Sequence, residues 1–186
     1  MERLVTNLLN MVRIESGACR IKQEWIPFEE LLGSALARIE NRLLGRPIKV
    51  HVDQPIPLIY VDPVLFEQVL INILDNAIKY TPEMTPIIWT VTSVEGYAII
   101  RIRDKGPGIP IGEEQRIFEK FSHGKSGGDQ GIGLGLAICK GVIQAHGGSI
   151  ELVHGEKRGA EFCIMLPHPP LPPETLAEEQ ELGAEP

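Results

Sequence analysis

The chain has 186 residues, of which 43% are hydrophobic and 23% charged, a composition typical of a soluble globular domain. It contains no run of eighteen apolar residues, so neither a membrane span nor membrane contact is expected in this stretch. The net charge is -7, and five glutamates in residues 167–186 carry most of it, which argues against nucleic acid as a partner. The three cysteines, Cys19, Cys139 and Cys163, lack metal-ligand spacing. We expect their side chains to be buried in the protein, and the protein to occupy a reducing compartment.

The first sixteen residues carry apolar side chains at helical spacing. This helix either packs on the core of the domain or is the end of a longer helix in a larger protein. The elements predicted after it are a strand at 21–27, an amphipathic helix at 28–45, and two strands at 47–52 and 56–61 joined by a turn at 53–55.

A second helix is predicted from Pro63 to about Tyr80, because Asp62 can cap it and Pro82 must follow its end. Apolar residues cover more than half of its circumference. The rest forms a polar stripe of Gln68, Asn72, Asp75, Asn76 and Lys79. The stripe is either a solvated surface or the wall of a cleft, in which amides could bind Mg²⁺ and phosphate.

The second half of the chain alternates strands, glycine-rich loops and helices. The predicted elements are a hairpin at 87–94 and 97–104 with its turn at Glu95–Gly96, a short helix at 113–121, a loose loop at 122–130, a helix closed by Gly147–Gly148, strands at 149–154 and 160–166, and a disordered tail from 167. This pattern predicts a two-layer α/β sandwich.

Two glycine-rich segments are candidates for chemistry. Asp104 ends a strand just before Gly106 and Gly108; its carboxylate could accept a hydrogen bond from adenine's amine, or it could cap a type II turn. The run GIGLG at 131–135 has neither the GxGxxG spacing of dinucleotide-binding folds nor the Lys-Ser/Thr of a Walker loop. It remains a phosphate loop that ends in a helix N-terminus.

Five segments occur in a fixed order: LINILDNAIKY at 70–80, DKGPGIP at 104–110, IFEKF at 117–121, GIGLGLAICK at 131–140 and GEKRGAEF at 155–162. Together they resemble the five boxes of the ATP-binding domain of sensor histidine kinases, across residues 21–166. The resemblance implies the Bergerat (GHKL) fold shared with gyrase and the Hsp90 chaperones, a two-layer α/β (α+β) sandwich with a mixed β-sheet packed on three main helices. Within that family, segments 8–17, 33–43 and 62–82 are similar to the potassium- and turgor-responsive sensor kinases.

The resemblance implies ATP and Mg²⁺ as ligands. In it Asn76 would bind the metal, Lys79 would reach phosphate, Tyr80 would stack on adenine and Asp104 would read the adenine amine. Phe118 and Phe121 would brace a mobile lid at 122–130. Lys125 and Arg116 could contact phosphate from the lid. The implied ATP-binding residues are Asn72, Asn76, Lys79, Tyr80, Asp104, Gly106, Gly108, Ile109, Phe118, Phe121, Lys125, Gly131, Gly133, Leu134, Gly135, Leu136 and Gly159.

Two departures from the family shape the expected mechanism. Asn72 stands where ATP-hydrolysing relatives have a glutamate, and a neutral amide cannot act as a general base. The histidines also lack the context of a phosphoacceptor: His51, His123, His146, His154 and His168. The chain is therefore expected to bind ATP without containing its own acceptor, and residues 1–16 to be the stub of a dimerisation helix.

The expected function is transfer of the γ-phosphoryl group of ATP to a histidine on a dimerisation domain absent from this chain. A response regulator would be the later partner, and the domain would be the cytoplasmic part of a protein anchored in the inner membrane. A serine kinase of the anti-sigma type and a degenerate docking scaffold are the alternatives.

Overall fold

The computed structural model describes residues 21–52, 58–94, 96–122, 133–153, 159–167 and 169–170. The predicted helix at 1–16, the turn at 53–55 and the tail from residue 171 lie outside these ranges, so the domain boundaries drawn there stay predictions. The elements are helices α1 (Phe28–Leu43), α2 (Pro63–Tyr80) and α3 (Gly135–Ala145), and strands β1 (Glu24–Pro27), β2 (Ile48–Val52), β3 (Leu58–Val61), β4 (Ile87–Val94), β5 (Tyr97–Arg103), β6 (Ser149–Val153) and β7 (Glu161–Pro167).

Helix α2 begins and ends where the sequence predicts. The Oδ1 atom of Asp62 accepts hydrogen bonds from the backbone N–H groups of Val64 and Leu65, at 3.1 Å each. Pro63 fills the first helical position, where an N–H group would have no partner within the helix. Thr81 is extended, since the residue before a proline avoids the helical conformation.

The main sheet has the strand order β2-β4-β5-β7-β6, in which β2 and β4 are parallel and the other neighbours antiparallel. One row of paired residues crosses four strands, and all of its side chains are buried: Val91, Ile100, Ile164 and Ile150. These side chains form a single core with the buried faces of all three helices. The predicted sandwich of a mixed sheet on three helices is confirmed.

The strands before α2 do not form the hairpin that the sequence suggested. β2 pairs with β4 in the main sheet, whereas β3 pairs with β1 in a separate two-stranded sheet. The rings of Trp25 and Tyr60 lie 5.1 Å apart across that pair. The hairpin prediction was wrong because each strand has a better partner that is distant in sequence.

The helix predicted at 113–121 is also shorter than expected, since only a 3₁₀ turn forms at Arg116–Phe118. Phe118 is its one buried side chain, so there is no continuous apolar face to stabilise a longer helix. Three residues later, Phe121 has a φ of 60°.

Within the described residues, no α-helix is both long and apolar enough to cross a bilayer. Cys139 on α3 is buried as predicted, and burial raises the pKa of its thiol to about 12. Cys163 on β7 is only half-buried, so the prediction of a buried cysteine was wrong there. Cys19 lies outside the described ranges.

Candidate functional site

The carboxyl group of Asp104, directly after β5, is held in one orientation. Its Oδ1 atom accepts hydrogen bonds from the backbone N–H groups of Gly106 at 2.8 Å and Ala160 at 3.0 Å. The backbone N–H of Asp104 in turn donates to the carbonyl of Ala160 at 3.0 Å. The residue is only 8% exposed. A buried carboxylate fixed in this way is a pre-oriented acceptor for a ligand donor.

The glycines of this loop are required by the packing of the protein itself. A Cβ atom on Gly106 would lie 2.9 Å from the carbonyl oxygen of Tyr80, and one on Gly159 would lie 2.1 Å from the carbonyl oxygen of Asp104. Gly108 has a φ of 81° and packs against Gly159. Contacts between backbone segments therefore explain why these positions are glycine.

The C-terminal end of α2 and this loop together line a cavity of about 700 Å³, formed by Lys79–Pro82 and Lys105–Pro107. The ring of Tyr80 is 46% exposed, and the Nζ atom of Lys79 lies 4.7 Å from its centroid. Of the residues that the structure describes, the lining includes the ammonium groups of Lys79 and Lys105 and no acidic residue. Its charge suits an anion, and its accessible aromatic ring suits a planar group.

The two asparagines of the polar stripe have different surroundings. Asn72 is only 2% exposed; its Nδ2 donates to the carbonyl of Gly135 at 3.3 Å, and its Oδ1 accepts from Gln68 Nε2 at 3.0 Å. Asn76 is half-buried. Asn72 therefore ties α2 to the first turn of α3 and does not line the cavity.

The rest of the stripe is not simply a solvated surface. Asp75 pairs with Arg42 on α1, and about two turns earlier Glu67 accepts from both Arg38 and Ser34. These contacts fix α1 against α2.

The glycine run lies only partly within the described residues. Gly133 has a φ of 70°, and a Cβ atom there would lie 2.6 Å from the carbonyl oxygen of Ser122. Its own carbonyl accepts from the N–H of Phe121 at 3.0 Å. Leu134 is buried and precedes α3, which begins at Gly135, and Leu136 packs on the edge of the core. Gly131 and Lys125 lie outside the described residues.

The two phenylalanines predicted to brace a lid differ from each other. Phe118 is buried, with its ring edge-on to Phe162 at 6.3 Å, while Phe121 is 62% exposed. Arg116 lies 3.6 Å from Glu113 in an exposed ion pair, and Ile109 packs on the edge of the core.

Sequence reasoning missed Arg46. This arginine is buried, and it binds the segment that follows α2. An arginine after a glycine in a polar connection carries no pattern that predicts burial, so no signal in the sequence could have found it.

A mixed sheet on three helices, with a fixed carboxylate and glycine loop facing the end of an asparagine-bearing helix, defines a nucleotide-binding sandwich. The model of the family described as "Histidine kinase-, DNA gyrase B-, and HSP90-like ATPase" matches residues 61–170. The chain belongs to this family, as the catalytic domain of a two-component sensor histidine kinase.

Its relatives agree with this assignment. Sensor protein KdpD of Escherichia coli (strain K12) is 45% identical over 172 residues, which are 91% of this chain and 19% of that protein. KdpD of Clostridium acetobutylicum is 37% identical over 89% of this chain and 19% of that protein. The chain thus spans about a fifth of these relatives.

Solved structures lead to the same conclusion. Full-length ShkA in complex with AMPPNP matches with a TM-score of 0.77 and 30% identity, over 89% of this chain and 35% of that one. The mycobacterial sensor histidine kinase MprB matches with a TM-score of 0.70 and 30% identity, over 81% of this chain and 100% of that one. The predicted kinase class is confirmed, and the relatives give no support to the serine-kinase or scaffold alternatives.

Proposed function

We propose that this domain binds ATP between the C-terminal end of α2 and the loop at 104–108, and transfers the γ-phosphoryl group to a histidine on a separate dimerisation domain. The Asp104 carboxylate carries the proposal, because it is buried and held by the N–H groups of Ala160 and Gly106, and Gly106 lines the cationic cavity. Such an acceptor suits the amine of adenine and repels the carbonyl of guanine. Lys79 and Lys105 suit the phosphates.

Mg²⁺ fits the residues present. The half-buried amide of Asn76 offers an oxygen ligand, and the described residues hold no cluster of three His, Cys, Asp or Glu side chains. Mg²⁺ characteristically keeps several waters and needs only one or two protein ligands besides phosphate oxygens. When bound, it would neutralise charge on the phosphates.

In the transfer, the bond between the γ-phosphorus and the β,γ-bridging oxygen breaks, and a bond forms from phosphorus to an imidazole nitrogen of the acceptor. ADP leaves, and a base outside this chain takes the imidazole proton. The residues of this chain position and charge-neutralise the phosphates, as in other phosphoryl transfers. Asn72 is neutral and already hydrogen-bonded, so it cannot activate water, and hydrolysis is disfavoured.

The partners of the whole protein are part of this proposal. The acceptor histidine would lie on dimerisation helices preceding residue 21, and a response regulator would receive the phosphoryl group from it. The parent protein would be anchored in the inner membrane, with this domain in the cytoplasm. The support for these partners is the similarity to sensor kinases.

Nucleotide binding is tested by Asp104→Asn in titrations with a fluorescent ATP analogue and competing ATP or GTP. The amide keeps an oxygen for Gly106 and Ala160 but presents N–H groups to adenine's amine. ATP affinity should fall about 30- to 150-fold, the equivalent of ~2–3 kcal/mol, while GTP affinity rises relative to ATP. Glu67→Gln, an acid-to-amide change on the α1 side of α2, is the control. Unchanged selectivity in Asp104→Asn would refute the assignment.

Phosphotransfer is tested by incubating the chain with γ-labelled ATP and isolated dimerisation helices of a KdpD relative. The expected product is an acid-labile, base-stable phosphoramidate on the helices. An acid-stable phosphoserine, or label that is released only as inorganic phosphate, would contradict the proposed reaction.

A further inference from the structure

Arg46 lies in the connection between α1 and β2 and is only 7% exposed. Leu44 and Gly45 both have positive φ values, 50° and 75°, which reverse the chain after α1. The guanidinium group reaches the segment after α2, where Nη1 donates to Thr85 Oγ1 at 3.0 Å and Nη2 donates to the carbonyl of Thr81 at 3.4 Å. Nη1 also contacts Thr81 Oγ1 and the carbonyl of Thr85.

Among the described residues, the acceptors of this buried cation are all neutral oxygens, supplied by Thr81 and Thr85. A buried charge without a carboxylate partner is expensive, and an apolar side chain could fill the same space more cheaply. Part of the cost is offset by the C-terminal end of α2, where Thr81 is the capping residue and the helix dipole is negative. The arginine therefore does more than fill volume, since it fixes the segment after α2.

Thr81 connects Arg46 to the loop at 104–108, which contains Asp104. Its Oγ1 atom contacts Arg46 and donates to the carbonyl of Ala77 at 2.6 Å, so its side chain has one orientation. In that orientation its Cγ2 methyl lies against Gly106, where an added Cβ would be only 3.1 Å away. The N–H group of Gly106 is one of the two donors that orient the carboxylate of Asp104.

We propose that Arg46 is a positioning residue for base selection: through Thr81 and Gly106 it sets the position of the Asp104 carboxylate relative to the Tyr80 ring. It contacts no nucleotide itself. This inference rests on the proposed function, because it assumes that the cavity between these residues takes the base of ATP. Arg46 contacts Thr81 and Thr85 and not the ammonium groups of Lys79 and Lys105, so we expect its effect on the base and not on the phosphates.

The test uses Arg46→Met, which keeps most of the side-chain length and removes every donor. Competition against a fluorescent ATP analogue gives the affinities for ATP, GTP and inorganic tripolyphosphate, each with Mg²⁺. ATP affinity should fall by about tenfold and the preference for ATP over GTP should shrink, while tripolyphosphate affinity stays unchanged. Ile39→Val, a buried change in α1 away from the cavity, controls for a general loss of stability.

Thr81→Ser keeps the hydroxyl group and removes only the methyl that touches Gly106. It should fold and lose part of the same preference for ATP over GTP, and it decides the matter if Arg46→Met does not fold. Equal loss of ATP and tripolyphosphate affinity in Arg46→Met, or unaltered selectivity in Thr81→Ser, would overturn the inference. Wild-type protein that binds none of the three ligands would instead overturn the proposed function.

Discussion

The proposed base side of the site, at 104–108 and 159, and the proposed phosphate side, at Gly135 where α3 begins, carry glycine for different reasons. On the base side, Gly106 and Gly159 lie so close to backbone carbonyls that any side chain would collide with the protein. At Gly135, an added Cβ would meet only Asn72, at an ordinary 3.8 Å. The fold explains the first two glycines and leaves the third unexplained, as expected if Gly135 lies against the nucleotide proposed above.

The largest effect is expected for Gly159→Ala. The new Cβ would lie 2.1 Å from the carbonyl oxygen of Asp104, at a φ of 120° that side chains rarely adopt. The free energy of unfolding should fall by about 3–5 kcal/mol, measured by urea denaturation. Gly96→Ala is the matched control, because its φ is also positive at 82° but the space around it is open; it should cost only about 1 kcal/mol. Equal losses in both variants would contradict the packing explanation.

Alanine variants of Asn72 and Asn76 should affect different properties, the first the stability of the fold and the second the binding of Mg²⁺. Asn72→Ala removes the hydrogen bonds that the buried amide makes with Gly135 and Gln68, which should lower the free energy of unfolding by about 1–3 kcal/mol. Asn76→Ala should change stability by less than about 0.5 kcal/mol but abolish the Mg²⁺-dependent part of ATP affinity. Denaturation and ATP titrations with and without Mg²⁺ measure both effects. Equal loss of affinity in both titrations of Asn76→Ala would refute its role as a metal ligand.

Gly135→Ala tests whether the phosphate side keeps its glycine for a ligand. Since there is room for the methyl, the variant should be more stable by about 0.4–1 kcal/mol, yet its ATP affinity should fall. Gly33→Ala on α1 also has open space around it, so it should gain similar stability with wild-type affinity. Thermal unfolding and competition titrations compare the pair. If the Gly135→Ala variant binds ATP with wild-type affinity, the glycine at Gly135 is not kept for a ligand, and the contrast with Gly106 and Gly159 is wrong.

The smallest effect is a pH dependence that involves neither side of the site. His146 is buried, with its Nδ1 2.7 Å from the carbonyl of Val142 and its Nε2 accepting from the N–H of Asp62 at 2.9 Å. Burial lowers its pKa below the ordinary 6.5, although Val142 and Asp62 oppose the shift. As pH falls below 6.5, the unfolded chain takes up a proton first, so stability should decline.

Titration of His146 alone cannot change the free energy of unfolding by more than about 1.4 kcal/mol per pH unit. Urea denaturation between pH 7.5 and 5.5 measures it, and His146→Gln should flatten the profile while the ATP-to-GTP preference stays constant. A profile equally steep in His146→Gln would assign the dependence to other groups.

Local patterns predicted those elements whose signals lie within a few residues. Asp62 and Pro63 mark the start of α2 because a cap and a first-turn proline act over one helical turn. The hairpin of β4 and β5 follows from alternation around Gly96, whose φ of 82° suits the turn. The pairing of β2 and β3 failed because strand partners are chosen across the whole sheet.

The same division holds at the site. The sequence by itself determined the three main helices α1, α2 and α3, the core periodicity and the order of motifs that marks the kinase family, because these depend on neighbouring residues. Only the tertiary structure decided that Asn72 is buried, that Gly159 touches Asp104 and that Arg46 clamps Thr81. Those contacts join residues 35 or more positions apart, and their geometry depends on the packing of helices on a sheet that no local pattern encodes.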